Sequence, residues 1–339
     1  MTQRTANLPL AVSLGDPAGV GPELIALAWS KRAELKLPPF LVVGGAHVLQ
    51  AAAQSRGITL PVALIDNPDH AFSAFPDALP VLAEVGDGVF TPGEPSQEGA
   101  RLALHSLELA ASLALSGAAS GLVTAPVSKS QLASVGFAFP GQTEFVAYAS
   151  GVEAQDAVMM LASPNLRAVP LTVHCAISEV SSLLSQELIL RRCRVIGKAM
   201  SRDFGLANPK LAIAGLNPHA GEKGNMGQEE DEIIAPAIAQ LQAEGIAATG
   251  PHPADTMFAP HKRGTYDVAV AMYHDQALVP LKTLDFDIGV NMTLGLPIIR
   301  TSPDHGTAFD IAGKGIAKPD SLVEAMRMAV DAAKIRASA

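Results

Sequence analysis

The sequence predicts an α/β fold, a sheet covered by helices on both faces, and three observations carry that prediction. Short apolar runs alternate along the chain with longer stretches of helical periodicity. Most of those runs lack the strict alternation of a half-exposed strand, which is the pattern of strands buried on both faces. Glycine and proline gather where the runs stop, as in GDPAGVGP, TAPVSK and NPHAGE. In open α/β sheets that edge is where ligands bind.

Taken from the N-terminus, LAVSLG (10–15) reads as the first strand and 22–33 as the helix after it. FLVVGG (40–45) and VALI (62–65) follow as short strands. The stretch 97–116 carries apolar residues at helical spacing; Ser96 precedes it, but Gly99 three residues on leaves no capping box. SGLVTAP (120–126), AVMMLA (157–162) and AVPLTVH (168–174) read as strands, and 180–204 as a helix. KLAIAGLN (210–217) is then a strand, 228–244 a helix, VAVAMYH (268–274) a strand and 320–335 the last helix. No repeat or linker interrupts the series, so a second domain shares the sheet or is inserted in the first.

Composition excludes several classes. With 339 residues, 48% of them hydrophobic and 17% charged, the chain is globular with a substantial core. The net charge of -9 comes without blocks of like charge, so nucleic acid is not an expected partner. No window approaches the roughly 20 apolar residues of a membrane span. Asp16 and two glycines interrupt the N-terminal apolar run before it could serve as a signal segment. Cys175 and Cys193 form no CxxC pair, which suits free thiols in a reducing compartment. A cytoplasmic protein is expected.

Chemistry concentrates at the ends of the runs. His174 ends PLTVH, His219 sits in LNPHAGE and His274 ends VAVAMYH. Neutral imidazoles meeting at one rim would make an open divalent-metal site, whereas each alone is more simply structural. Asp275 is a further ligand, a partner of His274, or a turn residue. GDPAGVGPE (15–23) is not GxGxxG; it is an anion-binding helix start or a structural turn. Thr143 in PGQTEF (140–145) is either a donor to a substrate anion or an N-cap. Lys282, Asn291 and Arg300 suit a phosphate, the alternative being solvated surface charge; the apolar surroundings of Arg300 in LGLPIIRT weigh against that alternative.

TVH, GLNPHAGE, MG with EE (226–230), PADTMF, MYHDQ and GVNMTLGLPIIRTSPDHGTA together resemble the 4-hydroxythreonine-4-phosphate dehydrogenase family, from GDPAGVGPE to the final helix. The resemblance implies an isocitrate/isopropylmalate dehydrogenase-like fold of two α/β domains with a cleft between them. It divides the chain into 1–135 with 295–339, carrying the cofactor loop, and 136–294, carrying metal ligands and dimer contacts. It also implies a homodimer with shared active sites.

HGTAFDIAGKGIAKP is similar to the cofactor loop of isopropylmalate enzymes. This implies NAD, with NADP as the variant, lined by His305, Gly306, Thr307, Ala308 and Asp310; Lys318 stands where that wider group has Asn. His174, His219 and His274 match the family's metal ligands, one expected from the neighbouring subunit. Zinc is the first choice of ion, and magnesium, cobalt or manganese are alternatives. Thr143, Lys282, Asn291 and Arg300 match its substrate contacts. The family motif GHTEF here reads GQTEF, and Gln142 can replace a hydrogen bond but not a cation.

The reaction implied is oxidation of 4-phosphooxy-L-threonine at C3 and decarboxylation to 3-amino-2-oxopropyl phosphate, in pyridoxal phosphate biosynthesis. Asp255 and Asp275 are the candidate proton acceptors. The competing readings are a paralogue acting on 4-phospho-D-threonate or 4-phospho-D-erythronate, a metal-dependent hydrolase, and a noncatalytic phosphosugar-binding protein.

Overall fold

A computed structural model describes residues 8–82 and 88–338. The sequence's N-terminal stretch therefore lies partly outside the described residues. The chain divides into two compact units, Met1–Val152 with Leu296–Ala339, and Glu153–Gly295. The strands, in chain order, are β1 (Leu10–Ser13), β2 (Phe40–Val43), β3 (Val62–Ile65), β4 (Leu79–Leu82), β5 (Gly121–Thr124), β6 (Val158–Ala162), β7 (Arg167–Thr172), β8 (Lys210–Ala214), β9 (Ala247–His252), β10 (Val268–Tyr273), β11 (Val290–Leu294) and β12 (Arg300–Pro303).

In the first unit the strand order is β3-β4-β2-β1-β5-β12, and each neighbouring pair is parallel. β1, β2, β5 and β12 are buried along their whole lengths, while the edge strand β3 is partly exposed. In β1, β2 and β5 this is the continuous apolar pattern the sequence predicted, and it follows from helices lying over the sheet. Gln97–Leu115 packs on β1, β2 and β5, and Asp320–Ser338 packs on β5 and β12. Ser106, inside the first of these helices, accepts from Leu14 N (2.8 Å) and donates to Val43 O (2.7 Å), satisfying both buried strand ends. Ser96 caps the helix by accepting from Gly99 N at 3.1 Å.

The boundary expected at 135/136 lies instead at 152/153. Phe137, Phe139 and Phe145 pack edge-to-face or tilted against one another, with centroids 5.4 to 5.7 Å apart, and cluster with Leu107 and Leu132 of the first unit. Aromatic burial of this size carries the helix Gln142–Ala149 with that unit.

In the second unit the order is β11-β6-β7-β10-β8-β9. β6 runs antiparallel to β11 and β7, and β7, β10, β8 and β9 are mutually parallel. The helix expected over 180–204 is interrupted: Val180–Leu183 ends, Ser185 caps a new start by accepting from Leu188 N (3.1 Å), and Gln186–Phe204 continues. Gly205, at φ 68, closes it in the left-handed form that glycine tolerates best. The strand expected to include His274 stops at Tyr273, and His274 opens the helix His274–Asp285. Among the described residues no helix is long and apolar enough to cross a membrane.

Candidate active site

β7, β10 and β8 are adjacent and parallel, so their carboxyl ends face one edge of the second unit. His174 follows β7, His274 follows β10 and His219 lies on the turn after β8. His174 (φ 53) and His219 (φ 54) are both left-handed. A residue with a Cβ costs roughly 1–2 kcal/mol in that region, and such strain gathers at functional sites.

The His174 and His274 ring centroids are 5.9 Å apart. Two imidazoles sharing one ion at metal–nitrogen distances of about 2.0–2.1 Å have centroids roughly 5–6 Å apart. His274 Nδ1 lies 2.7 Å from Asp275 Oδ1. Donation to that carboxylate puts the ring's lone pair on Nε2, which is how metal-ligating histidines are usually oriented. In donor type and spacing this pair fits a divalent cation. Among the described residues, no group of three or more His, Cys, Asp or Glu side chains sits closely enough to hold an ion. The chain therefore brings His174 and His274 together and leaves His219 outside that pair. Asp275 accompanies His274, and exposed Asp255 lies on Ala254–Met257, which packs against the His219 turn.

In the first unit, Arg300 is 4% exposed. Its Nη1 donates to Thr143 Oγ1 (3.2 Å) and its Nη2 to Thr124 Oγ1 (2.8 Å). Burial pushes its pKa down to about 10, and the Glu144 carboxylate opposes that shift. The helix Gln142–Ala149 has Gly141 as its N-cap and no side-chain cap, so Thr143 spends its hydroxyl on Arg300 instead. Gln142 Nε2 donates to Ala125 O (3.2 Å), while its Oε1 is buried with no partner among the described residues. In the second unit Lys282 Nζ stands 5.4 Å from the Phe286 ring centroid, and the buried Asn291 Oδ1 likewise lacks a partner among the described residues.

β12 leads into the loop that carries His305, Gly306, Thr307, Ala308 and Asp310. Val20 N donates to Thr307 O (2.9 Å), and a Cβ on Gly19 would come within 2.9 Å of the same oxygen. Asp16 Oδ1 accepts from Ala18 N (3.0 Å), and Gly15 (φ 76) is pinned where a Cβ would meet Pro126 O at 2.7 Å. The GDPAGVG segment thus serves as a turn that supports the loop. Ala308 is left-handed (φ 46) and accepts from Ile311 N and Ala312 N, both at 3.1 Å. Beside this loop a cavity of about 630 Å³ is lined by Gly19, Pro22, Glu23, His47, Phe90 and Gly313 among others. Glu23 is 3.9 Å from Arg56 Nη1; burial raises its pKa and Arg56 partly offsets the rise.

The sequence left Thr124, Thr172, Glu230 and Gln276 without roles. Glu230 lies in MGQEE (226–230) and Gln276 in MYHDQ, but only folding reveals what their side chains touch.

An α/β frame with a glycine-rich loop beside an apolar cavity, a buried guanidinium and histidines after strand ends is the frame of an α/β enzyme. The fold is shared with a β-decarboxylating dehydrogenase from Thermococcus kodakarensis (TM-score 0.50, 15% identity, covering 98% of this chain and 85% of that one). The chain belongs to the family described as pyridoxal phosphate biosynthetic protein PdxA, whose model matches residues 36–329. It is 59% identical over 331 residues to the 4-hydroxythreonine-4-phosphate dehydrogenase of Erythrobacter litoralis (strain HTCC2594), covering 98% of each chain. The crystal structure of the Klebsiella pneumoniae protein of the same name has a TM-score of 0.86 and 38% identity, covering 96% of this chain and 98% of that one.

Proposed function

We propose that this chain is a 4-hydroxythreonine-4-phosphate dehydrogenase: it oxidises 4-phosphooxy-L-threonine at C3 with NAD and releases 3-amino-2-oxopropyl phosphate and carbon dioxide. The observation that carries this reading is Arg300, a cation kept buried by two threonine hydroxyls in a chain of net charge -9. A buried guanidinium is an expensive structural element and a good phosphate anchor.

In this reading Arg300 and Thr143 hold the substrate phosphate, joined by Lys282 and Asn291. Gln142 Oε1, which has no partner among the described residues, accepts from a substrate N–H or O–H. Fixing the non-reacting end holds the C3 hydroxyl in register. Asp275 sets the His274 tautomer, and Asp255 or Asp275 takes the hydroxyl proton. His305, Gly306, Thr307, Ala308 and Asp310 line the adenosine end of NAD, and the adjoining apolar cavity supports that placement. A divalent cation at the histidines, zinc first by its all-nitrogen ligation, supplies Lewis-acid polarisation of the hydroxyl oxygen when bound.

His219 outside the His174–His274 pair supports a homodimer in which a second copy completes the ligand set. Ile177, Val279 and Phe286, at 70, 60 and 73% exposure, offer apolar surface on the second unit for that copy to cover. The first unit then carries the cofactor loop, and the second the metal ligands and dimer contacts. Both cysteines are free, which suits the cytoplasm.

The deciding experiment is NADH formation by the purified chain with 4-phosphooxy-L-threonine, 4-phospho-D-threonate and 4-phospho-D-erythronate, with and without chelator. Turnover of the first that needs NAD and is lost on chelation is expected. Preference for a non-amino acid would replace the substrate assignment, and phosphate release without NAD would replace the reaction.

A further inference from the structure

After β8 the chain reverses through an unusual backbone. His219, Ala220, Gly221, Glu222 and Lys223 are consecutive left-handed residues, with φ of 54, 53, 76, 44 and 58. Four of them carry a Cβ, so the run persists only where surrounding structure imposes it.

What imposes it lies behind the turn. The Glu230 carboxylate, 2% exposed, accepts from Leu216 N (2.7 Å), Asn217 N (2.8 Å) and Asn217 Nδ2 (2.9 Å). Glu229 Oε2 also accepts from Asn217 Nδ2, at 2.8 Å. The fit leaves no slack: a Cβ on Gly221 would lie 2.6 Å from Glu230 Oε2, and one on Gly215 would lie 3.1 Å from Oε1 and 2.9 Å from Ala220 Cα. Glu230 also opens a π-helical turn, Glu230–Ile234, of the kind often found at functional sites.

The same segment is tied to the other histidines. Gln276 accepts from Met272 N (2.6 Å) and donates to Gly215 O (2.8 Å), and Thr172 donates to Met272 O (2.8 Å). One buried hydrogen-bond chain thereby links the strand ends bearing His174, His274 and His219, and Glu230 anchors it on the His219 side.

We infer that Glu230 is a positioning residue for metal binding, holding the turn that presents His219. The inference rests on the metal reading above. Glu230 is not itself a ligand, because both its oxygens are committed to the turn.

The test is cobalt(II) titration of the metal-free protein, without NAD or substrate, read by visible absorbance and calorimetry. Glu230→Ala should weaken cobalt affinity at least tenfold, in the range found when groups supporting metal ligands are removed. Glu230→Gln keeps an oxygen for the backbone amides and should fall between. Glu244→Ala, which breaks an exposed ion pair with Arg194 in the same unit, controls for general destabilisation and should match wild type.

Wild-type affinity in folded Glu230→Ala and Glu230→Gln overturns the inference while leaving the metal reading intact. If Glu230→Ala does not fold, Glu230→Gln decides: weakened binding supports the inference and unchanged binding overturns it. Failure of wild type to bind cobalt removes the metal reading and this inference with it.

Discussion

Replacing Arg300 with Met separates a phosphate anchor from a structural cation, because the side chains are similar in size and only one is charged. In the folded chain burial lowers the guanidinium pKa to about 10, which corresponds to about 3 kcal/mol against the charged form. Met removes that penalty. It also removes the hydrogen bonds to Thr143 (3.2 Å) and Thr124 (2.8 Å), each worth about 1.5 kcal/mol with a charged donor. The two effects nearly cancel, so urea unfolding of the free protein should place Arg300→Met within about 1–2 kcal/mol of wild type. Substrate has no such compensation. Losing a charge-assisted contact to phosphate costs about 3 kcal/mol, or roughly 100-fold in kcat/KM. A variant that loses more than about 4 kcal/mol of stability while keeping kcat/KM within about threefold would refute the reasoning.

The sign of the pH dependence is also fixed. Folded Arg300 sheds its proton from about pH 10, whereas the unfolded chain keeps it to higher pH. The unfolded state then binds more protons, so wild type should gain stability relative to Arg300→Met across that window.

Three further outcomes are expected. Asp275→Asn should weaken metal binding about tenfold, the low end of the range for a carboxylate supporting a ligand, because Asp275 is largely exposed; isothermal titration checks it. Gly221→Ala adds a Cβ at φ 76 that meets Glu230 Oε2 at 2.6 Å, and should destabilise the fold by about 2 kcal/mol or more in urea melts. Cys193 is fully buried with its thiol pushed up to about 12, so iodoacetamide should modify Cys175 in the native protein and reach Cys193 only on unfolding, as read by mass spectrometry.

Apolar strands were legible because burial on both faces writes itself as an unbroken run: LAVS, FLVV and GLVT stand in the first unit as read. β9 (AATGPH) and β12 (RTSP) were not legible, since proline, glycine and polar residues hide a strand whose place is set by its neighbours. The domain boundary moved for a similar reason: Phe137, Phe139 and Phe145 look alike on either side of a division until the partners they pack on are known.

The sequence by itself determined the α/β class and the family, because these reside in local patterns and long motifs. Only the tertiary structure decided that Thr143 holds Arg300 rather than capping its helix, that His174 pairs with His274 while His219 stands on a separate turn, and that Glu230 braces that turn. Each depends on contacts between residues distant along the chain, and a linear pattern does not encode the distance between side chains that only folding brings together.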